Sequence, residues 1–337
     1  MKKKLLSFAK YAVFLGLGLF LVWWSFRQIP DNKWGEFKQS LSTANYWLLI
    51  PVFIILALSH LVRSLRWKIL MQPMGYQPRV TNTFFAVMIG YLANLAIPRL
   101  GEVLKCTFLA RYEKVPAEKL VGTIVAERAV DVVSLGIVFV LTMVTQADIL
   151  AEYGKDLIGQ LFKKGENISM TALLIFAGIV IVLVIAIRVW FSQFSHLKIV
   201  IVFKRIIAGV WEGLISIRRL QQKGLFILYS ALIWILYAAG TWVGLMATDG
   251  TAHLGMGAAL GALAFGSIGM IVTPGGIGAF AFFIAKVLEE NGVPFEIGFA
   301  NGTLQWFAQF LIVIILGCIS LLLFPVYNKT RTTHESR

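Results

Sequence analysis

The chain has 337 residues, 58% of them apolar and only 14% charged, with a mean hydropathy of +0.78, whereas a soluble domain is about 45–50% apolar and about 25% charged. There is too little polar side chain to cover a soluble globule of this length, and the long Leu, Ile, Val and Phe runs exclude a disordered or collagen-like chain. In a soluble protein the net charge of +14 would suggest nucleic acid. Here the basic residues fall between apolar runs, where they set topology and meet anionic lipid, so no nucleic-acid partner is expected.

The expected fold class is an all-α polytopic membrane protein. A hydrocarbon layer of about 30 Å takes about 20 apolar helical residues, and six stretches qualify as full crossings: 5–26, 45–65, 120–145, 170–190, 224–247 and 297–324. The first follows Lys2-Lys3-Lys4 but ends in Trp23-Trp24 without a small-x-small cleavage site, so it reads as an uncleaved anchor. Two further stretches, 81–112 and 255–290, each contain a proline-glycine break and read as re-entrant helical hairpins. Such breaks are tolerated at membrane depth only where protein or a watery cavity satisfies the backbone.

With both termini cytoplasmic, most basic residues fall inside, as the positive-inside rule requires. The two hairpins then enter from opposite sides, which marks an inverted repeat. The chain forms a single membrane domain over 1–325. Its first half is 1–145 and its second 170–325, with an external mixed-charge loop at 146–169, a cytoplasmic basic amphipathic helix at 196–223 and a polar tail at 326–337.

Local matches support the repeat. Ile97-Pro98-Arg99-Leu100-Gly101 aligns with Thr273-Pro274-Gly275-Gly276-Ile277-Gly278 with one residue inserted, and Val115-Pro116 aligns with Val293-Pro294. At these offsets Glu127, Arg128 and Asp131 face Gln305, Trp306 and Gln309.

A charge within a membrane costs about 2.5–3.5 kcal/mol on insertion scales, so such residues pair or line a polar path. Glu127 and Asp131 share a helix face at i, i+4, with Arg128 within reach of Asp131 at i, i+3. They read either as a headgroup site or as an ion-pair network that locks a hairpin to this helix. A second cluster, Asn94, Arg99, Glu102 and Lys105, surrounds Pro98 and Gly101. There Arg99 and Lys105, with the N–H groups of the helix start, suit an anionic headgroup. The opposing break, Pro274, Gly275, Gly276 and Gly278, offers almost only backbone.

Nothing points to other chemistry. The four histidines are scattered, Cys106 and Cys318 are far apart, and no Walker, G-x-S-x-G or dinucleotide fingerprint is present. The small-residue run from Gly255 to Gly269 suits close helix packing. The sequons at Asn167 and Asn301 are short enough to arise by chance. No metal or cofactor is expected.

The combination Asn94-x3-Pro98-Arg99-x-Gly101-Glu102, Glu127-Arg128-x2-Asp131 and Thr273-Pro274-Gly275-Gly276-x-Gly278 resembles the lysylphosphatidylglycerol synthetase transmembrane-region family of flippase-like proteins, over about residues 10–325. The resemblance implies a multi-pass protein of the bacterial cytoplasmic membrane that moves lipids between leaflets. Its substrates would be membrane lipids, an anionic phospholipid or a polyprenyl-linked lipid. The bifunctional members carry a soluble aminoacyl-transferring domain after the membrane part, and this chain ends soon after its last crossing, so it is expected not to be an enzyme. Many members have an acidic residue just after the second Pro-Gly-Gly, where this chain reads Ala279-Phe280-Ala281-Phe282-Phe283, which argues against a cationic headgroup. Two alternatives remain at this stage: a non-transporting partner of a lipid-modifying enzyme, and a membrane-embedded lipid transferase using Glu102, Glu127 or Asp131 as base.

Overall fold

The structure, a computed structural model, describes residues 2–97, 99–147, 215, 217, 218 and 220–335. The expected crossing at 170–190, nearly all of the loop at 146–169, most of the basic helix at 196–223, Pro98 and Asn167 lie outside the described residues. Within them the regular structure is helical: α1 (Lys2–Arg27), α2 (Trp34–Ser42), α3 (Leu49–Met71), α4 (Val80–Ala96), α5 (Leu100–Glu113), α6 (Ala117–Thr145), α7 (Lys223–Leu245), α8 (Met256–Val272), α9 (Ala279–Glu290) and α10 (Phe295–Glu335).

Three helical segments are long and apolar enough to cross a bilayer, Tyr46–Met74, Lys223–Leu245 and Phe295–Lys329. They correspond to the expected crossings at 45–65, 224–247 and 297–324. The 29-residue α6 covers the expected crossing at 120–145, but Glu127, Arg128 and Asp131 interrupt its apolar run. Two helices outlast the expected limits. α3 continues past residue 65 to Met71 because no breaker occurs before Pro73, and Gly75 then turns the chain at φ 84°. α10 passes through Pro325 to Glu335, so residues 326–335 of the expected polar tail extend the last helix.

The stops follow from proline chemistry. A residue before proline is driven out of the α region, and Ile97 (φ −139°) and Thr273 (φ −124°) are both extended where α4 and α8 end. Pro116 and Pro294 stand just before α6 and α10, a position at which proline lacks no needed N–H. Each break then needs a left-handed residue: Arg99 at φ 70° in the first, Gly275 at φ 62° in the second. Glycine adopts this conformation without strain, whereas arginine does so at a cost of order 1–3 kcal/mol.

The two halves share an order of helices, and the first two of each match in length. α3 and α7 are both 23 residues, and α4 and α8 are both 17. A break, a short arm (α5 or α9) and a long helix (α6 or α10) follow in each half. α4 packs on α5, α8 on α9, and α3 on α7. The Pro274–Gly276 turn also touches α4, and a Cβ on Gly275 would lie 3.4 Å from Leu95, so the two hairpins meet.

Packing is inside-out in the manner of a membrane protein. Trp67, Met71, Leu109, Leu120, Phe226 and Phe324 close one core across α3, α5, α6, α7 and α10, while Ala259, Ala262, Ile284 and Leu288 close another around α8 and α9. Meanwhile Ile54, Val140, Ile227, Ile235 and Leu322 remain exposed on the outer helix faces, a load that hydrocarbon accommodates and water would not. The first hairpin closes tightly at Gly101, where an added Cβ would meet Gly90 O at 1.8 Å.

Gly101→Ala should therefore push α4 from α5 and destabilise the protein by about 1–3 kcal/mol, read as a lower thermal midpoint in detergent. Gly136→Ala on α6, where nothing lies within 4 Å, should leave the midpoint unchanged or raised.

Candidate functional site

Each hairpin break is tied to the body of the protein through polar groups. In the first, Asn94 Oδ1 accepts a hydrogen bond from Gly101 N at 2.8 Å, so a side chain of α4 satisfies one of the open donors at the start of α5. Arg99, at the tip, is exposed and makes no ion pair among the described residues. In the second, Pro274 and Gly276 are buried, and Trp306 Nε1 on α10 donates to Gly275 O at 2.8 Å. Gly278, at φ 73°, lies against Gly18 and Val22 of α1.

Beside the first hairpin lies a desolvated ion network. α3 projects Arg63 and Arg66 from successive turns, α6 projects Glu127 and Asp131 one turn apart, and α5 contributes Lys105. Arg63 Nη1 donates to Glu127 Oε1 at 2.9 Å and to Asp131 Oδ2 at 2.8 Å. Arg66 Nη2 reaches Asp131 Oδ1 at 2.7 Å, and Lys105 Nζ reaches Glu127 Oε2 at 2.9 Å. Lys105 also sits 4.4 Å above the Trp67 ring, a cation–π contact that replaces part of its lost hydration. Tyr237 OH, from α7, accepts from Arg63 Nη2 at 3.2 Å.

Two sequence-based expectations change here. Arg128 does not turn to Asp131; it donates to Glu102 Oε1 at 3.0 Å across to α5, in a half-exposed pair with side-chain exposures of 54% and 35%. Asp131 faces α3 instead, where two guanidiniums outcompete one neighbour on its own helix. Arg99 and Lys105, read together from the sequence, are placed apart: Arg99 is exposed at the tip, whereas Lys105 is buried on Glu127. Arg63, inside the expected crossing at 45–65, and Arg66, just past it, were not singled out from the sequence, yet both are buried in α3. Their spacing at i, i+3 and the apolar run Trp67-x-Ile69-Leu70-Met71 after them were the available signals that the helix continues.

Between the hairpins lies a cavity of about 450 Å³, the size of a small-molecule site. Arg63, Arg128 and Asp131 line it from the first half, and Gly275, Gln305, Trp306 and Gln309 from the second. Its remaining wall is largely apolar and aromatic, with His60, Tyr91, Trp234 and Tyr237 among the lining side chains; none of these four was singled out from sequence. Arg128 also borders a small adjoining recess with Asn94, Gly101, Glu102, Lys105 and Glu127. Gln305 is anchored by donating to Asn301 Oδ1 at 2.7 Å. Asn301, of the second sequon, is fully buried and bonds Gly244 O at 3.0 Å, so its role is internal.

Some nitrogens around the cavity lack partners. His60 Nδ1, Arg63 Nε and Trp234 Nε1 are buried with no hydrogen bond among the described residues, and each such group costs about 1–3 kcal/mol. Among the described residues no group of three or more His, Cys, Asp or Glu side chains is placed to hold a metal ion.

A half-open cavity with charge along one wall, set between two broken helical hairpins, is the setting in which the relatives of this chain can be weighed. Residues 8–317 match the model of the lysylphosphatidylglycerol synthase TM region. The chain belongs to this family. A UPF0104 membrane protein of Methanocaldococcus jannaschii is 30% identical over 94 residues, a match covering 27% of this chain and 28% of that protein. No solved structure matches.

Removing one member of a buried ion network strands its partners at about 3–5 kcal/mol, while an exposed pair contributes about 0–1. Glu127→Gln should accordingly lower the unfolding midpoint in detergent sharply, and Glu102→Gln should scarcely move it. Equal shifts for the two variants would contradict the burial difference.

Proposed function

We propose that this protein is a flippase-like lipid transporter, carrying a polar or charged headgroup between leaflets of a bacterial cytoplasmic membrane while the tails stay in hydrocarbon. The observation that carries this reading is the cavity where the two hairpins meet, charged on the Arg63, Arg128 and Asp131 side, neutral and polar at Gln305 and Gln309, and largely apolar between. In this reading the shared helix order of the two halves is an inverted repeat, the hairpins enter from opposite faces, and one half rocks against the other to expose the cavity alternately.

Chemical transfer is a poorer reading of the same groups. Glu127 and Asp131 each accept from two cations, and Glu102 is paired with Arg128. A general base needs a carboxylate free to take a proton at the reacting atom, and none of the three is free. A role as a passive partner of a lipid-modifying enzyme gives the cavity no purpose.

The test is reconstitution into vesicles containing headgroup-labelled lipids of several charges, with a membrane-impermeant quencher outside. Protein-dependent loss of label is expected, and Arg128→Ala, which breaks only a half-exposed ion pair, should abolish it in folded protein. Folded protein that moves no lipid, with or without a proton gradient, would overturn the transport reading.

A further inference from the structure

The second hairpin break needs support from outside itself. Gly275, Gly276 and Gly278 all stand at positive φ, 62°, 72° and 73°, and glycine gives up more backbone freedom on folding than any other residue. Bonds within the turn close it into one unit: Thr273 Oγ1 donates to Ile277 O at 3.0 Å, and Gly276 N to Thr273 O at 3.0 Å. They do not fix that unit relative to the rest of the protein. The turn carries no charged side chain, so no ion pair can hold it as the network holds the first hairpin.

Two elements outside the hairpin grip it instead. From α10, Trp306 Nε1 donates to Gly275 O at 2.8 Å. The other is α1, which packs on the turn and on α9. A Cβ on Gly18 would meet Ile277 O at 3.1 Å and Thr273 Cβ at 3.6 Å, and a Cβ on Gly278 would meet Gly18 O at 2.5 Å and Val22 N at 2.8 Å. The backbones of α1 and the turn are therefore in direct contact, with no room for a side chain on either glycine. Farther along, Phe26 anchors α1, its ring centre lying 5.5 Å from those of Trp34 and Phe299. Eight residues of helix, about 12 Å, separate that anchor from Gly18, while Leu17, Leu19 and Phe20 on the other faces of α1 are exposed. α1 also stands outside the helix order that the two halves share.

We infer that α1 is a clamp on the second hairpin: through the contact of Gly18 and Val22 with Ile277 and Gly278 it holds the Pro274–Gly276 turn in place, and so sets the cavity wall that Met270, Ile271, Gly275 and Phe280 form. Because the turn is tied internally, a release at Ile277 and Gly278 carries Gly275 with it. The first hairpin is fixed by buried ions, so the second is the adjustable wall. This inference concerns the shape of the cavity and stands apart from what the cavity carries.

The experiment reads the accessibility of each wall. The full chain with Cys106→Ala and Cys318→Ala carries one reporter cysteine, either Ser267→Cys on α8 or Val132→Cys on α6, both at positions that line the cavity. Reaction with N-ethylmaleimide in detergent is timed by mass spectrometry. Gly18→Leu forces α1 off the turn and should speed labelling of Ser267→Cys about threefold or more, leaving Val132→Cys unchanged. Gly16→Leu, at a position with nothing within 4 Å, should alter neither rate. Should Gly18→Leu not fold, Val22→Ala, which trims a side chain lying against Gly278, is read in its place and should act in the same direction.

An unchanged Ser267→Cys rate in the folded variant would overturn the clamp. Equal acceleration at both reporters would overturn it as well, since that reports a general loosening and not the release of one wall. Acceleration confined to Ser267→Cys, in a protein that moves no lipid in vesicles, would sustain the clamp and defeat the transport reading alone.

Discussion

The fold depends on a desolvated ion network that pins the polar faces of α3, α5 and α6 together beside the apolar core the three helices share. Ions removed from water are costly, and only close, multiply bonded partners offset that cost. Glu127 and Asp131 each accept from two cations at hydrogen-bond distance, and the aromatic face of Trp67 covers Lys105. Because Lys105 lies on the second arm of the first hairpin, the network fixes that arm to α6. Because Arg63 bonds Tyr237 of α7, it also couples the first half to the second.

The second hairpin is held by different means. Where the first half uses ions, the second uses amides, an indole and close backbone contact: Gln305 on Asn301, Trp306 on Gly275, and Gly278 against α1. A shared helix order therefore supports unequal chemistry. The left-handed residue makes the same point, being a strained and exposed arginine in one break and an unstrained glycine in the other. The cavity inherits this asymmetry, with charge on one wall and neutral polar groups on the other.

Much of this was legible in the sequence. The two proline breaks, the small residues that let the hairpin arms approach and the polar triplets after each hairpin all stand in the residue pattern. Periodicity alone could not supply the choice of partners. Glu127, Arg128 and Asp131 are neighbours in sequence, so pairing among themselves was the economical expectation, yet their partners come from α3 and α5. Arg63 and Arg66 went unnoticed because basic residues near the end of an apolar run usually serve as flanking topology signals. His60, Trp234 and Tyr237 gave no signal, because aromatic and amphipathic residues in membrane helices commonly serve as interface anchors; only the tertiary arrangement turns them towards a common cavity.

The separation of the network's members along the chain has a consequence for biogenesis. Arg63 and Arg66 leave the ribosome about sixty residues ahead of Glu127 and Asp131, the sequence distance between the paired positions. Until the later helix arrives, α3 presents two cations with no counter-ion, each carrying an insertion penalty of about 2.5–3.5 kcal/mol at the centre of a helix and less towards its ends. The charged end of α3 therefore gains its full place in the bilayer only once α6 follows, and lateral release of the early helices is coupled to the synthesis of a later one.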